Sequence, residues 1–543
     1  MKIKIIEFFN RESDGSKFKI VLSSIIGSIC FPALLIIANW DVEIVSYVSK
    51  FVEMGIFILY LLICSLAIIC KAYTLNQTTA IAEEAVRKVR VRLIDKLRRT
   101  ELRFIETEKK GEIFARIVED TEIISMTSAN IANTAESIFA SIAVFLYMAT
   151  VSITGFVLAT ACIMSMYVIF FTYYFKIKAK LEKVRRKETD FLDLLNDTLS
   201  GFKEIKINAK KNNALFEDIT SLSNEIERET LKPEIEFDKL IVLYMSILYF
   251  TMGVIIFIVP KYSHSHGEVI NKLVTSVLFV TGLLGMVLRG TSVNLMANVG
   301  VENLEKLEAN IDNAIYYNEF NPDYCGTSCE FKEIILDELS FQYKGKEDET
   351  LFTAGPFNLK IKQGETLFIV GGNGSGKSTL LKLMVGLYYP MAGGRIIVDD
   401  QTVTNRDYQS YRELFSTIFT DFHLFKKLYG ITPVDTHKVK ELLEELDVHR
   451  KTNFVNGMFT HTDLSTGQRK RLAYITAILE DKPVYVFDEW AADQDPIFRK
   501  RFYKKFLSDL KAMNKTIIVV THDDRYFDIA DRVIKLEEGK IVA

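Results

Sequence analysis

Cysteine is scarce in this chain, and its six copies are not placed for covalent work. Cys30, Cys64, Cys70 and Cys162 lie in apolar runs, where a reduced thiol behaves as a small hydrophobe, so no disulfide framework is expected. Cys325 and Cys329 form the one close pair, but no further ligands flank them and no metal site is expected there. Charge of one sign is also missing. The formal net charge of -3 carries no signal for nucleic acid, and none is expected as a partner. A cleavable secretory signal is lacking too: the first apolar run follows a charged stretch without a small-residue cleavage pattern, and is expected to stay as an anchor.

What is present is length and unevenly distributed hydrophobicity. At 543 residues the chain exceeds a single compact core, since domains usually run ~100–200 residues. A bilayer core about 30 Å thick needs roughly 20 apolar residues of helix. Such runs occur near 18–39, 50–72, 132–152, 153–175, 238–260 and 269–299, which predicts six spans within a membrane domain over 1–325. The third and fourth are separated only by the turn at Ser152 to Gly155, a tight hairpin.

Lysine and arginine set the orientation, because they are retained on the cytoplasmic side. Lys2, Lys4, Arg11, Lys17 and Lys19 precede the first span. The two long connections carry Arg87, Lys88, Arg90 and Arg92, and Lys183, Arg185, Arg186 and Lys187. Both termini are therefore expected in the cytoplasm. The same connections are almost free of proline and glycine and space Phe191, Leu192, Leu194, Leu195 and Leu199 as a helix does. They read as membrane helices prolonged by ~25 Å or more into the cytoplasm, at 1.5 Å per residue.

Beyond Asn321 and Pro322 short β-rich runs alternate with helices, as in an α/β nucleotide-binding domain, here expected over 326–543. An apolar strand, Phe368 to Val370, leads into Gly371, Gly372, Asn373, Gly374, Ser375, Gly376, Lys377, Ser378 and Thr379, followed by an apolar helix. This is a phosphate loop in its strand–loop–helix setting. Its glycines let backbone N–H groups wrap phosphates at a helix N-terminus, Lys377 neutralises β- and γ-phosphate oxygens, and Ser378 offers a hydroxyl to Mg²⁺. ATP and Mg²⁺ are thus the expected cofactors. A second strand, Val484 to Phe487, ends in Asp488 and Glu489, an acid for the Mg²⁺ shell beside a catalytic acid that can polarise water.

Between these motifs stands Leu464-Ser465-Thr466-Gly467-Gln468, which resembles the LSGGQ signature of ATP-binding-cassette proteins. The resemblance covers the whole chain. It implies an all-α, six-helix exporter-type membrane domain fused to an α/β phosphate-loop cassette, with two cassettes sandwiching two ATP molecules between one chain's phosphate loop and the other's Ser465, Gly467 and Gln468. It further implies that Tyr343 stacks on adenine, that Asp495 belongs to the loop linking the two sites, and that His522 contacts the γ-phosphate. Where the family usually has a glutamine that touches the metal and its water, this chain has Thr420 followed by Asp421. Either residue is expected to supply the missing oxygen ligand through water.

One cassette and six spans make half a transporter, so a second copy is the simplest partner, with a different half as the alternative. The stretch from Phe104 to Glu112, with Arg116 and Asp120, resembles the first coupling segment of exporters, and Gly201 to Ile207 its counterpart. Glu136 and Arg289 are intramembrane charges that either serve the transport path or snorkel to the interface. Asn130, Asn133, Thr281 and Asn294 either line that path or join helices.

Phe419 to Phe425, Asp488 to Pro496 and His522 to Phe527 are similar to the bacterial branch that exports cyclic peptides, lasso microcins and peptide siderophores, a branch with Thr-Asp in place of the glutamine. The expected function is ATP-driven export of such a peptide across the bacterial inner membrane. A lipid or drug exporter, or an exporter-shaped siderophore importer, is the alternative. A soluble cassette ATPase is excluded by the spans, and a regulator that only gates is disfavoured by Glu489. No cysteine peptidase precedes the first span, so leader cleavage is not expected.

Overall fold

The structure is a computed structural model and describes residues 4–15, 17–39, 50–108, 110–262, 267–315, 331–344 and 350–542. The Cys325 and Cys329 pair, the loop at His264 and His266, and the junction expected near 325 lie outside the described residues. The chain divides into two compact units. One comprises Met1–Arg98 and Thr107–Asn313; the other comprises Ala314–Ala543 together with Arg99–Glu106.

The first unit is helical. Among the described residues five helices are long and apolar enough to cross a membrane: Lys17–Ala38, Phe51–Leu97, Gly111–Val151, Ala209–Phe257 and Gly267–Asn313. The fourth expected span opens the helix Ile153–Ser200, whose side chains beyond Cys162 lie partly outside the described residues. Four of these helices run to 47 residues or more, so each spans about 70 Å at 1.5 Å per residue, well beyond a hydrocarbon core of about 30 Å. The segments expected as stalks lie within these continuous helices. The hairpin is as tight as its sequence requires. Ser152 alone is non-helical, with φ -160° and ψ 120°, and its hydroxyl accepts from the Gly155 N–H at 3.3 Å to cap the next helix.

Tyr244, Leu248 and Ile255 pack with Val144, Met148, Leu273, Val277 and Val280 in the core of this bundle. A short amphipathic helix, Lys4–Glu12, buries Ile5, Phe8 and Glu12 and leaves Lys4, Glu7 and Arg11 exposed. Its last residue, Glu12, accepts from Arg92 at 2.5 and 3.0 Å, and Arg92 also reaches Glu308 at 2.8 Å. Arg92, from the basic run, thus works as a clasp that joins three helices.

The second unit is an α/β cassette. Strands β1 (Glu333–Lys344), β2 (Thr350–Lys362), β4 (Arg395–Val398) and β5 (Gln401–Thr402) form an antiparallel sheet in the order β2-β1-β4-β5. A six-stranded sheet takes in β3 (Thr366–Gly371), β6 (Phe415–Ile418), β9 (Val484–Asp488), β10 (Thr516–Val520), β11 (Arg532–Glu537) and β12 (Lys540–Ile541). A small hairpin, β7 (Phe454–Val455) and β8 (Met458–Phe459), lies outside both sheets. The order β12-β11-β3-β10-β9-β6 is parallel except at β12, and β3, β9 and β10 are buried along most of their length, as parallel strands covered on both faces must be.

Candidate functional site

Parallel pairing decides what meets what. Val520 of β10 pairs with Ile369 of β3 and with Asp488 of β9, and Ile418 of β6 pairs with Phe487. The carboxyl ends of four strands therefore emerge along one edge, the usual place for a ligand in an open α/β sheet. That edge carries the phosphate loop at the end of β3, Asp488 and Glu489 at the end of β9, His522 just past β10 and Thr420 just past β6.

The phosphate loop turns through Gly376, at φ +97° in the left-handed region, directly into the helix Lys377–Met384. A Cβ at that position would also come within 3.2 Å of Gly539 Cα, a tight approach that adds to the conformational demand for glycine. Lys377 is 7 % exposed and its ammonium donates to the carbonyls of Gly371 and Gly372, both at 2.9 Å, with no carboxylate partner among the described residues. Ser375 Oγ is buried without a hydrogen-bond partner. An uncompensated cation and an orphaned hydroxyl in a glycine-rich cradle fit a phosphate chain. Tyr343 on β1 donates or accepts with Thr379 Oγ1 at 3.1 Å, which ties the expected adenine platform to the phosphate-loop helix. Behind it, Phe341 stacks on Tyr388 at 4.1 Å.

At the end of β9, Asp488 is 5 % exposed, and burial pushes its carboxyl above the usual range while hydrogen bonds from Thr420 oppose that shift. The Thr420 hydroxyl donates to Asp488 Oδ2 at 2.9 Å and the Thr420 N–H reaches the same oxygen at 3.4 Å. Asp421 is exposed. Of the two residues expected at this edge, Thr420 is the one that touches the acid. Hard oxygen donors such as Ser378 and Asp488, with waters and phosphate oxygens, suit Mg²⁺ rather than a thiolate- or imidazole-bound metal. No group of three or more His, Cys, Asp or Glu placed to hold an ion by itself occurs among the described residues.

Glu489 stands next to Asp488 with φ +50°, a left-handed conformation that a non-glycine residue adopts only when its surroundings hold it there. Its N–H donates to Val520 O at 3.1 Å, and its Oε1 lies 3.3 Å from His522 Nε2. A carboxylate at the end of β9 and an imidazole just past β10 are thus brought together.

Ser465 is the exposed N-cap of the helix Thr466–Glu480, a hydroxyl and helix N-terminus turned to the surface. Gly467 lies so close to the loop after β9 that a Cβ would come within 2.6 Å of Asp493 O. Gln494 Nε2 donates to Gly467 O at 3.0 Å, and Arg471 donates to Gln494 Oε1 and Asp495 Oδ2, both at 2.9 Å. Asp495 also caps the helix Pro496–Arg501 by accepting from Ile497 N at 3.1 Å and Phe498 N at 2.9 Å. Gln468 is half-buried at the start of the same signature helix.

Sequence reasoning missed three groups. Lys470 is a buried cation inside the signature helix. Glu106, in the helix Leu102–Thr107 and part of the second unit, accepts from Lys382 Nζ at 2.6 Å and from Tyr388 OH at 2.5 Å. In the membrane unit Lys71 pairs with Glu136 and donates to Asn133 Oδ1 at 3.0 Å. Glu136 is 5 % exposed, so it is held inside the bundle rather than snorkelling. The side chain of Arg289 lies outside the described residues. The signal for Lys71 was its place inside an apolar run, one helix away from Glu136.

Known proteins agree with this construction. The chain matches the family models for the ABC transporter transmembrane region over residues 6–287 and for the ABC transporter over residues 355–492. It is 34 % identical to the ATP-binding protein SyrD of Pseudomonas syringae pv. syringae over 70 % of this chain and 68 % of that one. It is 23 % identical to an ATP-dependent lipid A-core flippase of Wigglesworthia glossinidia brevipalpis over 85 % of this chain and 80 % of the relative. The subtilin transport ATP-binding protein SpaT of Bacillus subtilis aligns at 29 % identity over 38 % of this chain and 36 % of its own length. The structure of a bacterial Atm1-family ABC exporter with ATP bound superposes with a TM-score of 0.78 over 96 % of this chain and 93 % of that one, at 19 % identity, which establishes the shared fold. With both halves matched, the chain belongs to the ABC transporter family as an exporter-type half-transporter, a membrane-integral protein whose cassette binds and hydrolyses ATP.

Proposed function

We propose that two copies of this chain form a homodimeric exporter of a cyclic or otherwise modified peptide, or a peptide siderophore, in the bacterial inner membrane, with both termini in the cytoplasm. The observation that carries the catalytic part is the convergence of Glu489 and His522 at 3.3 Å beside the Asp488–Thr420 pair. In this reading Lys377 and the backbone of Gly371 to Gly376 bind the phosphates, and Tyr343 carries the adenine. Ser378 and Asp488 hold Mg²⁺, which neutralises phosphate charge. Thr420 orients Asp488 and its water shell. Glu489 accepts the proton of the attacking water and His522 keeps that carboxylate aimed. The partner's Ser465, Gly467 and Gln468 close each site, so that ATP draws the cassettes together and turns the cavity outward, and hydrolysis resets it.

The peptide cargo rests on the likeness of Phe419 to Phe425, Asp488 to Pro496 and His522 to Phe527 to the peptide-exporting branch. Lipid export is the second reading, favoured by the length of the match to a lipid A-core flippase. ATPase assays in proteoliposomes against cyclic peptides, peptide siderophores, lipids and drugs separate the two, with Glu489→Gln as the inactive control. Stimulation by peptides is expected; stimulation by lipids or dyes alone would refute the peptide reading.

A further inference from the structure

A single buried lysine joins the signature helix to the turn that carries the catalytic acid. Lys470 lies one turn into the helix Thr466–Glu480 and is 1 % exposed, a burial that a lysine tolerates only when its ammonium is fully engaged. Its Nζ is 2.7 Å from the Glu489 carbonyl oxygen and 2.6 Å from Asp493 Oδ2. Its own carbonyl accepts from Trp490 Nε1 at 2.8 Å, and Trp490 is fully buried between them.

These contacts bear on Glu489 in particular. Its left-handed backbone is fixed from two sides: the N–H by Val520, at the end of the strand that leads to His522, and the carbonyl by Lys470 at 2.7 Å and, more weakly, by the Ala492 N–H at 3.3 Å. A displacement of the signature helix therefore pulls directly on the peptide that aims the Glu489 carboxylate. Arg471, next along the helix, grips Gln494 and Asp495, so the segment from 489 to 495 is held to the helix at both of its ends.

From this we infer that Lys470 is a positioning residue for hydrolysis, which makes the alignment of Glu489 in one ATP site depend on whether the same chain's signature helix is engaged at the other. The inference rests on the two-chain reading above and adds to it a named route between the sites. Asp493 is the second anchor of that route, and Trp490 the wedge that holds the lysine's backbone.

The experiment uses the full-length protein in proteoliposomes, with ATPase rates measured across ATP concentration and nucleotide affinity measured separately with a fluorescent ATP analogue. For Lys470→Gln, kcat is expected to fall at least tenfold while analogue affinity stays within twofold, and the Hill coefficient of the wild type is expected to fall to about 1. Lys470→Arg, which keeps a cation, is expected to recover kcat to within threefold. Asp493→Asn removes only the carboxylate and is expected to cost several-fold, with the double variant no worse than Lys470→Gln alone, because both act on one contact. Wild-type cooperativity and kcat in Lys470→Gln would overturn the inference. So would parallel losses of kcat, affinity and thermal midpoint, or failure of arginine to rescue. Wild-type protein that does not turn over ATP would instead refute the parent reading, and Asp493→Asn decides the matter if Lys470→Gln does not fold.

Discussion

Replacing Thr420 by valine removes one hydroxyl and almost no volume, and it tests whether this residue stands in for the family's usual glutamine. The hydroxyl donates at 2.9 Å to Asp488 Oδ2, and the acid is 5 % exposed although Thr420 itself is exposed. A hydrogen bond to a charged group contributes about 1.5–3 kcal/mol. If that stabilisation is needed in the hydrolytic transition state, its loss corresponds to a fall of about ten- to a hundredfold in kcat. The weaker approach of the Thr420 N–H, at 3.4 Å, survives the substitution and sets the expected effect toward the lower end. Purified protein in proteoliposomes, at saturating ATP, gives kcat directly, and a fluorescent nucleotide separates binding from turnover. Thr420→Ser keeps the donor and is expected to remain within about threefold of wild type by the same reasoning. Wild-type turnover in Thr420→Val, or an equal loss in Thr420→Ser, would refute the role assigned to the hydroxyl.

Three other substitutions probe the geometry. Lys71→Met leaves Glu136 as a buried unpaired charge and should lower the thermal midpoint of the solubilised protein by the equivalent of about 3 kcal/mol, whereas Lys71→Met with Glu136→Leu should regain most of it; a single variant as stable as wild type would show that the pair does not hold the bundle. Asp495 is held below the usual carboxylate range by the N–H of Phe498 first, with Arg471 and Ile497 adding to it. A depressed carboxylate contributes stability above its unfolded value and loses it as pH falls through the folded one, so thermal scans of Asp495→Asn should fall less steeply on the acid side than wild type, and identical slopes would count against the assignment. Gly467→Ala should push the signature away from the Asp493 carbonyl, which a Cβ would approach to 2.6 Å, and cut turnover at least tenfold with fluorescent-nucleotide affinity largely kept; full activity would mean the two segments yield freely.

The local pattern carried most of the architecture. Twenty-residue apolar runs, the Ser152 turn and the proline-poor connections are readable because helix length and periodicity depend on neighbours within a few residues. The phosphate loop is readable for the same reason, since its strand, glycines and helix are consecutive. The helix Lys4–Glu12 escaped because a nine-residue amphipathic segment is too short to stand out from a charged terminus, although Ile5 and Glu12 are anchored by distant residues.

By itself the sequence determined that the chain spans a membrane and carries a nucleotide-binding loop, an acid pair and a signature in the order of one family. It named Thr420 and Asp421 together, because spacing along a chain cannot tell which of two neighbours faces inward. The tertiary structure distinguishes them by contact, since the parallel pairing of β6 with β9 sets the Thr420 hydroxyl on Asp488, although both residues are exposed. It also decided the partners of buried charges. Lys71 finds Glu136, and Lys470 finds Asp493 and the Glu489 carbonyl, only after folding, because a charge removed from water must be met by whatever group the packing brings to it, however far away that group lies in the chain.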